Sequence, residues 1–428
     1  MNILILGGNG FIGSAIMRKL AAQGHRVTAL GRDTKRAAIQ FPGTDFVRAD
    51  LAGMTSAQDW NRLAADHQVV VNCAGALQDG LRDDLAAVQE RAMLALYAAA
   101  TSAGGRLIVQ ISARTDGGAA DLPFLATKRR ADAALKQSGL DHVILRPSLV
   151  VGRNAYGGTA LVRGLASFPF VIPAIHAEIP VATVALDDVA EAVARAVDGR
   201  IKPGSDIALA AAGNLSLGEM LALHRRWLGL PAARLMAVPA ALARPVTAIA
   251  DIAGRLGWRS PLRSTAMAVM AEGGAGSSGA TPSAFELRSL QQSLDDAPSG
   301  VQDLWFARLY LLKAPIILTL SLFWLTSGLI PLVKLAAAMA HFDGLLTYGP
   351  ALLTVMASCS LDIVLGLAVL VRPAARLALL GMVCTSGFYL LAATFAQPAL
   401  WLDPLGPLVK VLPSILLTLT ALATLDER

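Results

Sequence analysis

Cysteine is nearly missing. Cys73, Cys359 and Cys384 are the only three in 428 residues, and no metal-binding spacing links them, so a disulfide framework is excluded. Charge is sparse too: charged residues make up 16% of the chain and aromatic ones 5%, and no run of Lys and Arg forms a basic patch. A nucleic-acid partner is therefore not expected. Met1 to Leu6 lack the basic start of a secretory signal and run directly into glycines, which predicts an N-terminus that belongs to the fold and stays in the cytoplasm.

What the chain has in excess is apolar residues. They reach 54%, with a mean hydropathy of +0.54, too much for a purely soluble protein of ordinary composition. The excess is uneven. Residues 303–428 carry seven Lys/Arg and six Asp/Glu, leaving thirty and twenty-five to residues 1–302, so most of the net charge of +6 belongs to the first part.

Residues 2–6 read as a buried strand, followed by glycines at 7, 10 and 13 and then by a helical pattern from Ser14 to Gln23. Strand, glycine turn and helix in that order predict a dinucleotide site. Gly7 would permit the tight turn, Gly10 would let the backbone approach a pyrophosphate, and Gly13 would let the helix pack on the strand. The phosphates would rest on the helix N-terminus, where free N–H groups and the helix dipole favour an anion. Gly7, Asn9, Gly10, Phe11, Ile12 and Gly13 are the candidate contacts.

A second strand ends at Gly31-Arg32, where an acidic residue would favour NAD. Arg32 instead suits a 2′-phosphate, with Lys35 and Arg36 close behind, so NADP(H) is expected over NAD(H). A third strand, Thr44 to Ala49, leads to Asp50-Leu51; the carboxylate there can accept from an adenine amino group or cap the next helix. Val69 to Asn72 reads as a buried strand that stops at Cys73, Ala74 and Gly75, small enough for a cofactor to come close. Further strands are expected at 106–112 and 142–145. Strands alternating with helices predict an α/β Rossmann fold with a doubly wound parallel sheet.

Gly7-x-x-Gly10-x-x-Gly13, Asp50-Leu51, Asn72-Cys-Ala-Gly75, Ser112, Lys128, Arg146-Pro147-Ser148 and Leu186-Asp-Asp-Val-Ala190, in this order, resemble the atypical and extended short-chain dehydrogenase/reductases over about residues 1–230. Within them the chain is most similar to the group that includes the nucleotide-binding accessory subunit of respiratory complex I. The resemblance implies cofactor contacts at Lys128, Pro147 and Ser148 and catalytic roles for Ser112 and Lys128. It also exposes a departure. The family's proton donor is a tyrosine four residues before the lysine, and this sequence has Phe124 there; none of the five tyrosines stands four before a lysine. Ser112 is then the first candidate donor, ahead of His176 and Tyr156, although a serine at a strand end serves equally as a cap.

Asp187-Asp188 are expected to open a helix, and Ser216 with Glu219 to form a capping box. Arginines scattered from 225 to 263 among apolar residues fit either a basic surface on anionic lipid or a solvated helix face. Gly273 to Pro282 reads as a flexible break, and 284–294 as a helix. The composition divides the chain into an NAD(P)-binding domain with a substrate part (1–272), a linker (273–302) and a membrane domain (303–428).

In the last part, 314–333, about 350–371, 377–402 and about 405–425 are each long and apolar enough for a transmembrane helix, which predicts an all-α four-helix transmembrane bundle. Lys and Arg concentrate before the first span and between the second and third, placing both termini on the cytoplasmic side of the inner (plasma) membrane. Asp362 and Lys410 lie within spans and are expected to pair or to face a polar mouth. Trp401 to Pro413, with Arg308 to Pro315, resembles the DoxX-like four-helix membrane domains. The expectation is a membrane-anchored NADP(H)-binding oxidoreductase acting on a lipophilic carbonyl or quinone. Its rival is a non-catalytic sensor or scaffold with respiratory or quinone-pathway membrane partners.

Overall fold

Ile3, Leu4, Ile5 and Leu6 are completely buried, apolar on both faces, as a central strand of a parallel sheet must be. That strand, β1 (Asn2–Leu6), lies between β2 (Arg26–Gly31) and β4 (Val69–Asn72); β3 (Asp45–Arg48) pairs beyond β2, and β5 (Leu107–Ile111) and β6 (His142–Pro147) follow β4. Ser205–Leu209 and Thr281–Pro282 complete eight strands, every pairing parallel. The order reverses between β1 and β4. At that switch point the carboxyl ends of the strands leave a crevice.

The computed structural model describes all residues except 76–78, 81–83, 114–120, 214, 272–280, 405 and 427–428. Helices cover both faces of the sheet. Helix α1 (Phe11–Ala22) and the helix Leu186–Val197 pack on one face through Ile16, Met17, Leu20, Val189 and Val193. On the other, α2 (Thr34–Gln40) aside, α3 (Ala57–Asp66), α4 (Ala92–Ser102) and α5 (Pro123–Gln137) supply Trp60, Leu96 and Leu135. Each such side chain withdrawn from water is worth about 1.5–3 kcal/mol.

The chain divides into two units, one of residues 1–251 and 260–307, the other of 252–259 and 308 onward. In the first, three two-stranded pairings between residues 149 and 237 follow β6, and the Ser216–Glu219 capping box forms as expected. The expected flexible stretch at 273–280 lies outside the described residues. The described residues after it are packed: Thr281–Pro282 joins the large sheet, and Leu290 and Leu294 are buried. The helix expected at 284–294 is shorter, Leu290–Asp295, because Ser289 and Gln292 form a capping box that starts it there. Asp188 does more than open a helix: its carboxylate accepts from the Arg288 backbone N–H at 2.7 Å and from Nε at 2.9 Å.

The second unit holds three helices long and apolar enough to cross a membrane, Lys313–Val333, Tyr348–Ala368 and Arg372–Ala396. Of the fourth apolar segment, expected at about 405–425, the helix Val411–Ala423 covers 13 residues, about 20 Å at 1.5 Å per residue, so helix makes up only part of a hydrocarbon thickness there. Pro398, Pro404 and Pro407 keep the preceding stretch from forming a regular helix. Its C-terminal end is nevertheless fixed. The Leu425 carbonyl accepts from Lys313 Nζ at 3.2 Å and Arg372 Nη2 at 2.9 Å, so the chain's last helix ends beside the starts of the first and third apolar helices.

Candidate functional site

The three glycines of the turn after β1 have distinct geometric reasons. Gly7 has φ +71°, and a Cβ there would stand 3.2 Å from the backbone of Ala74 at the end of β4. Gly13 is tighter: a Cβ would lie 2.3 Å from the Gly7 carbonyl oxygen, so only glycine lets α1 start so close to the turn. Gly10 differs from both. It is extended, donates its N–H to the Gly7 carbonyl at 2.9 Å, and has only that carbonyl oxygen within 4 Å of its added Cβ, at 3.1 Å. Sequence reasoning missed Gly8, whose Cβ would stand 2.6 Å from Ala29 Cβ in β2.

Beyond Gly10 the turn is open toward the start of α1. That helix has no side-chain cap and no acidic residue in its first turn. Its leading N–H groups have no carbonyl one turn back to bond, and together with the dipole they favour an anion. An open cradle bordered by unspent donors fits the pyrophosphate of a dinucleotide.

Around this turn, the other sequence candidates fall into two sets. Asn9 donates from Nδ2 to the Asp33 carbonyl at 3.1 Å and lies against Gly31, tying the first loop to the second. Arg32 is exposed at the end of β2, while the Asp33 carboxylate caps α2 by accepting from the Arg36 N–H. Asp50 caps a short 3-10 helix, accepting from the Ala52 N–H at 3.2 Å, and Leu51 is a core residue. Phe11 stacks on Tyr156 with ring centroids 5.8 Å apart, which brings one of the alternative phenols to the glycine turn.

At the ends of β4 to β6 the second set gathers. Asn72 Oδ1 accepts from the Ala74 N–H at 3.0 Å and its Nδ2 donates to Gln110 at 2.9 Å, holding the Cys73-Ala74-Gly75 turn in place. Lys128 Nζ donates to the Ile111 carbonyl at 3.0 Å and lies 3.7 Å from where a Cβ on Gly75 would stand. Burial lowers its pKa, against the pull of Asp132. The Cys73 thiol is pushed up to about 12 by burial, Lys128 opposing, and is not a thiolate at neutral pH.

Ser112 is less free than the sequence implied. Its hydroxyl donates to Asp132 Oδ2 at 2.5 Å, and Arg146 Nη1 stands 2.9 Å from the same carboxylate oxygen. Arg146 also donates from Nε and Nη2 to Asp206 at 2.7 and 3.0 Å, and Lys136 reaches Asp206 at 2.7 Å. Burial pushes the Asp132 carboxyl above its usual range, Arg146 and Ser112 opposing. Asp132 was not singled out from the sequence. Its signal was there: it stands one helical turn after Lys128, on the same face of α5.

Phe124 lies one turn before Lys128, its ring centroid 5.9 Å from Nζ. Pro147 ends β6, and the buried Ser148 hydroxyl has no protein partner among the described residues. His176, the other candidate donor, has a φ of +53°, left-handed for a non-glycine residue.

In the second unit Asp362 is buried and accepts from Ser327 Oγ at 2.7 Å and from Tyr389 OH at 3.0 Å, so three apolar helices meet at one carboxyl group. The expected pairing with Lys410 does not form. Lys410 is exposed just before the last helix, where proline-rich chain rather than a helix carries it.

Residues 7–200 match a family model described as NAD(P)H-binding, and residues 321–419 match that of the DoxX-like family. The uncharacterized protein Rv2047c of Mycobacterium tuberculosis is 27% identical over 253 residues, which is 59% of this chain and 26% of that protein. An uncharacterized Mycobacterium bovis protein, Mb2073c, matches equally. The chain thus spans about a quarter of the length of the curated relatives it matches. Among solved structures, gox2253 has a TM-score of 0.51 at 22% identity, covering 69% of this chain and 96% of its own. The Bordetella bronchiseptica enzyme WbmH in complex with NAD+ has a TM-score of 0.47 at 20% identity, covering 56% and 86%. The likeness to gox2253 shows the fold.

Proposed function

We propose that this chain, an NAD(P)-binding Rossmann domain of the short-chain dehydrogenase/reductase type followed by a DoxX-like domain, is a membrane-anchored oxidoreductase that passes a hydride from NADPH to a lipophilic quinone-type acceptor. The bound nicotinamide would supply the hydride. Gly7, Gly10, Phe11, Ile12 and Gly13 would hold the pyrophosphate, Arg32 a 2′-phosphate, and Asp50 with Leu51 would border the adenine. Cys73, Ala74 and Gly75 would leave room for the cofactor, Lys128 would hold its ribose, and Pro147 with Ser148 its nicotinamide end.

The observation that carries the choice of acceptor is the pair Phe124 and Ser112. Hydride addition to a ketone gives an alkoxide, a strong base that needs a positioned proton donor. Phe124 offers none, and the Ser112 proton is already held by Asp132. Hydride addition to a quinone gives a hydroquinone anion, a far weaker base that takes its proton from water. A chain lacking the phenol is therefore suited to a quinone, and spans in the bilayer would concentrate one.

In this reading the protein sits in the inner (plasma) membrane with both termini cytoplasmic, the segment that ends in the helix Val411–Ala423 making the fourth crossing. The shared end of Lys313, Arg372 and Leu425 supports that orientation, since basic residues favour the cytoplasmic face. The second reading is a non-catalytic NADP(H)-binding sensor or a scaffold for a respiratory or quinone-related complex, which Phe124 also allows. NADPH oxidation by the full chain in nanodiscs, against short-chain quinones and lipophilic ketones, separates the readings. Oxidation with quinones and not ketones, absent from Gly10→Asp, is the expected result. Saturable NADPH binding with no oxidation of any acceptor would reject the oxidoreductase reading in favour of the sensor.

A further inference from the structure

A surface helix of a soluble domain turns its apolar stripe inward. The helix Ala240–Arg255 turns its stripe outward. Leu242, Val246 and Ile249, spaced four and three residues apart, share one face and are each 46–63% exposed. Arg244 and Arg255 fall on the opposite side by the same periodicity, and Ala250 and Gly254 are the buried residues of this stretch. More apolar surface is left uncovered nearby in the chain. The strand Arg234–Ala237, which leads into the helix, exposes Leu235 and Met236, and Phe170, just before its partner strand Val171–Ala174, is 86% exposed.

So much uncovered apolar surface marks an interaction site rather than a water-facing surface. Two observations identify its occupant. From 226 to 259 the chain has five exposed arginines, Arg226, Arg234, Arg244, Arg255 and Arg259, and a single acidic residue, Asp251, so the charge around the stripe suits an anionic surface. The same helix also runs on into residues 252–259, which belong to the second unit. There Trp258 donates from Nε1 to the Leu370 carbonyl at 2.6 Å, and its ring centroid lies 6.0 Å from Lys313 Nζ and 5.6 Å from Arg372 Cζ. Aromatic and basic side chains gathered at the ends of membrane-length helices are the arrangement of a headgroup layer.

We infer that the helix Ala240–Arg255 lies on an anionic phospholipid surface. Leu242, Val246 and Ile249 enter the headgroup–acyl boundary, and Arg234, exposed beside Leu235 and Met236, and Arg259, exposed beside Trp258, meet the phosphates. This rests on the reading of the second unit as bilayer-embedded and adds a second, peripheral attachment that belongs to the nucleotide-binding unit.

The test uses the full chain in nanodiscs of phosphatidylcholine and phosphatidylglycerol, with a spin label at Val246→Cys, Ile249→Cys, Arg244→Cys or Phe388→Cys. The background is Cys359→Ala/Cys384→Ser, with the high-pKa Cys73 retained and NAD(P)H binding as the check of folding. Collision with oxygen, which concentrates in lipid, is compared with collision with a water-soluble nickel chelate. At 246 and 249 the oxygen-to-nickel ratio should be several-fold higher than at 244, and it should fall when phosphatidylglycerol is omitted. A nickel-accessible stripe, or one shielded from both reagents as by a protein partner, overturns the inference, and an unchanged ratio without phosphatidylglycerol overturns its anionic part. The Phe388 label, exposed on the third apolar helix, separates the two levels: lipid contact there without contact at 246 and 249 rejects this inference alone, whereas none at Phe388 rejects the membrane reading as well.

Discussion

Alanine at Gly10 and at Gly13 should separate cofactor binding from folding, because the same methyl group meets different surroundings three residues apart. At Gly13 it would stand 2.3 Å from the Gly7 carbonyl oxygen and 2.9 Å from Gly8 Cα, roughly 1 Å inside contact with rigid backbone on two sides. Overpacking of this kind costs about 1–3 kcal/mol, and in a domain of this size each kcal/mol lowers Tm by about 2–4 °C, so a fall of about 2–12 °C is expected. At Gly10 the backbone is already extended, with φ −79°, and the methyl meets one atom at 3.1 Å, which a small shift relieves. The same methyl occupies the opening above the start of α1. A phosphate pushed away from even one helix N–H loses a charge-assisted hydrogen bond worth about 1.5–3 kcal/mol, or roughly ten- to hundred-fold in affinity. NADPH titration calorimetry and thermal melts of the detergent-purified chain measure both effects. Gly10→Ala with wild-type affinity, or Gly13→Ala with wild-type Tm, would refute the assignment of these two glycines.

Arg32→Ala should remove a preference for NADPH over NADH while leaving NADH affinity unchanged, as titration with both cofactors would reveal; equal affinities in the unaltered chain would reject the role given to Arg32. His224 is fully buried with its pKa lowered to about 4, by burial and against the hydrogen bond to the Met220 carbonyl. The unfolded chain takes up that proton near pH 6.5 and the folded chain does not. About 3 kcal/mol of stability present above pH 6.5 is therefore lost as the pH falls toward 4. Melts across that range should steepen relative to His224→Leu, and parallel curves would contradict the burial of a neutral imidazole. Finally, a reporter active only outside the cytoplasm, fused at the C-terminus, should be silent, because Leu425 lies beside Lys313 and Arg372; activity would mean that the short last helix does not return the chain to the basic side.

The middle of the sheet could be read from the sequence because Ile3–Leu6, Val69–Val71 and Val143–Leu145 are uninterrupted apolar runs, whereas Ser205–Leu209 and Thr281–Pro282, which carry polar residues or are only two residues long, were not expected as strands. Gly7, Gly10 and Gly13 were legible, since strand, turn and helix are all local; Gly8 was not, because what constrains it is Ala29 on the neighbouring strand β2. The extent of the last helix was not. From 405 to 425 the hydropathy is continuous, yet prolines earlier in the segment deny the backbone its hydrogen-bonding pattern, and the last helix begins only at Val411. Asp362 and Lys410 likewise look like partners in a linear reading. In three dimensions Ser327 and Tyr389 reach Asp362 from neighbouring helices.

By itself, then, the sequence determined the Rossmann order of elements, the glycine turn after β1, the absence of a tyrosine before Lys128 and the change to an apolar C-terminal part. These depend on periodicity, on glycine's missing Cβ and on residue identity, none of which requires knowing what packs where. Tertiary structure alone decided that the Ser112 proton is held by Asp132, that Arg146 joins Asp132 to Asp206, and that an amphipathic helix faces outward with its apolar side. A hydrogen bond or an exposed face depends on which distant side chains come within about 3 Å, and that is fixed only when the strands and helices have packed.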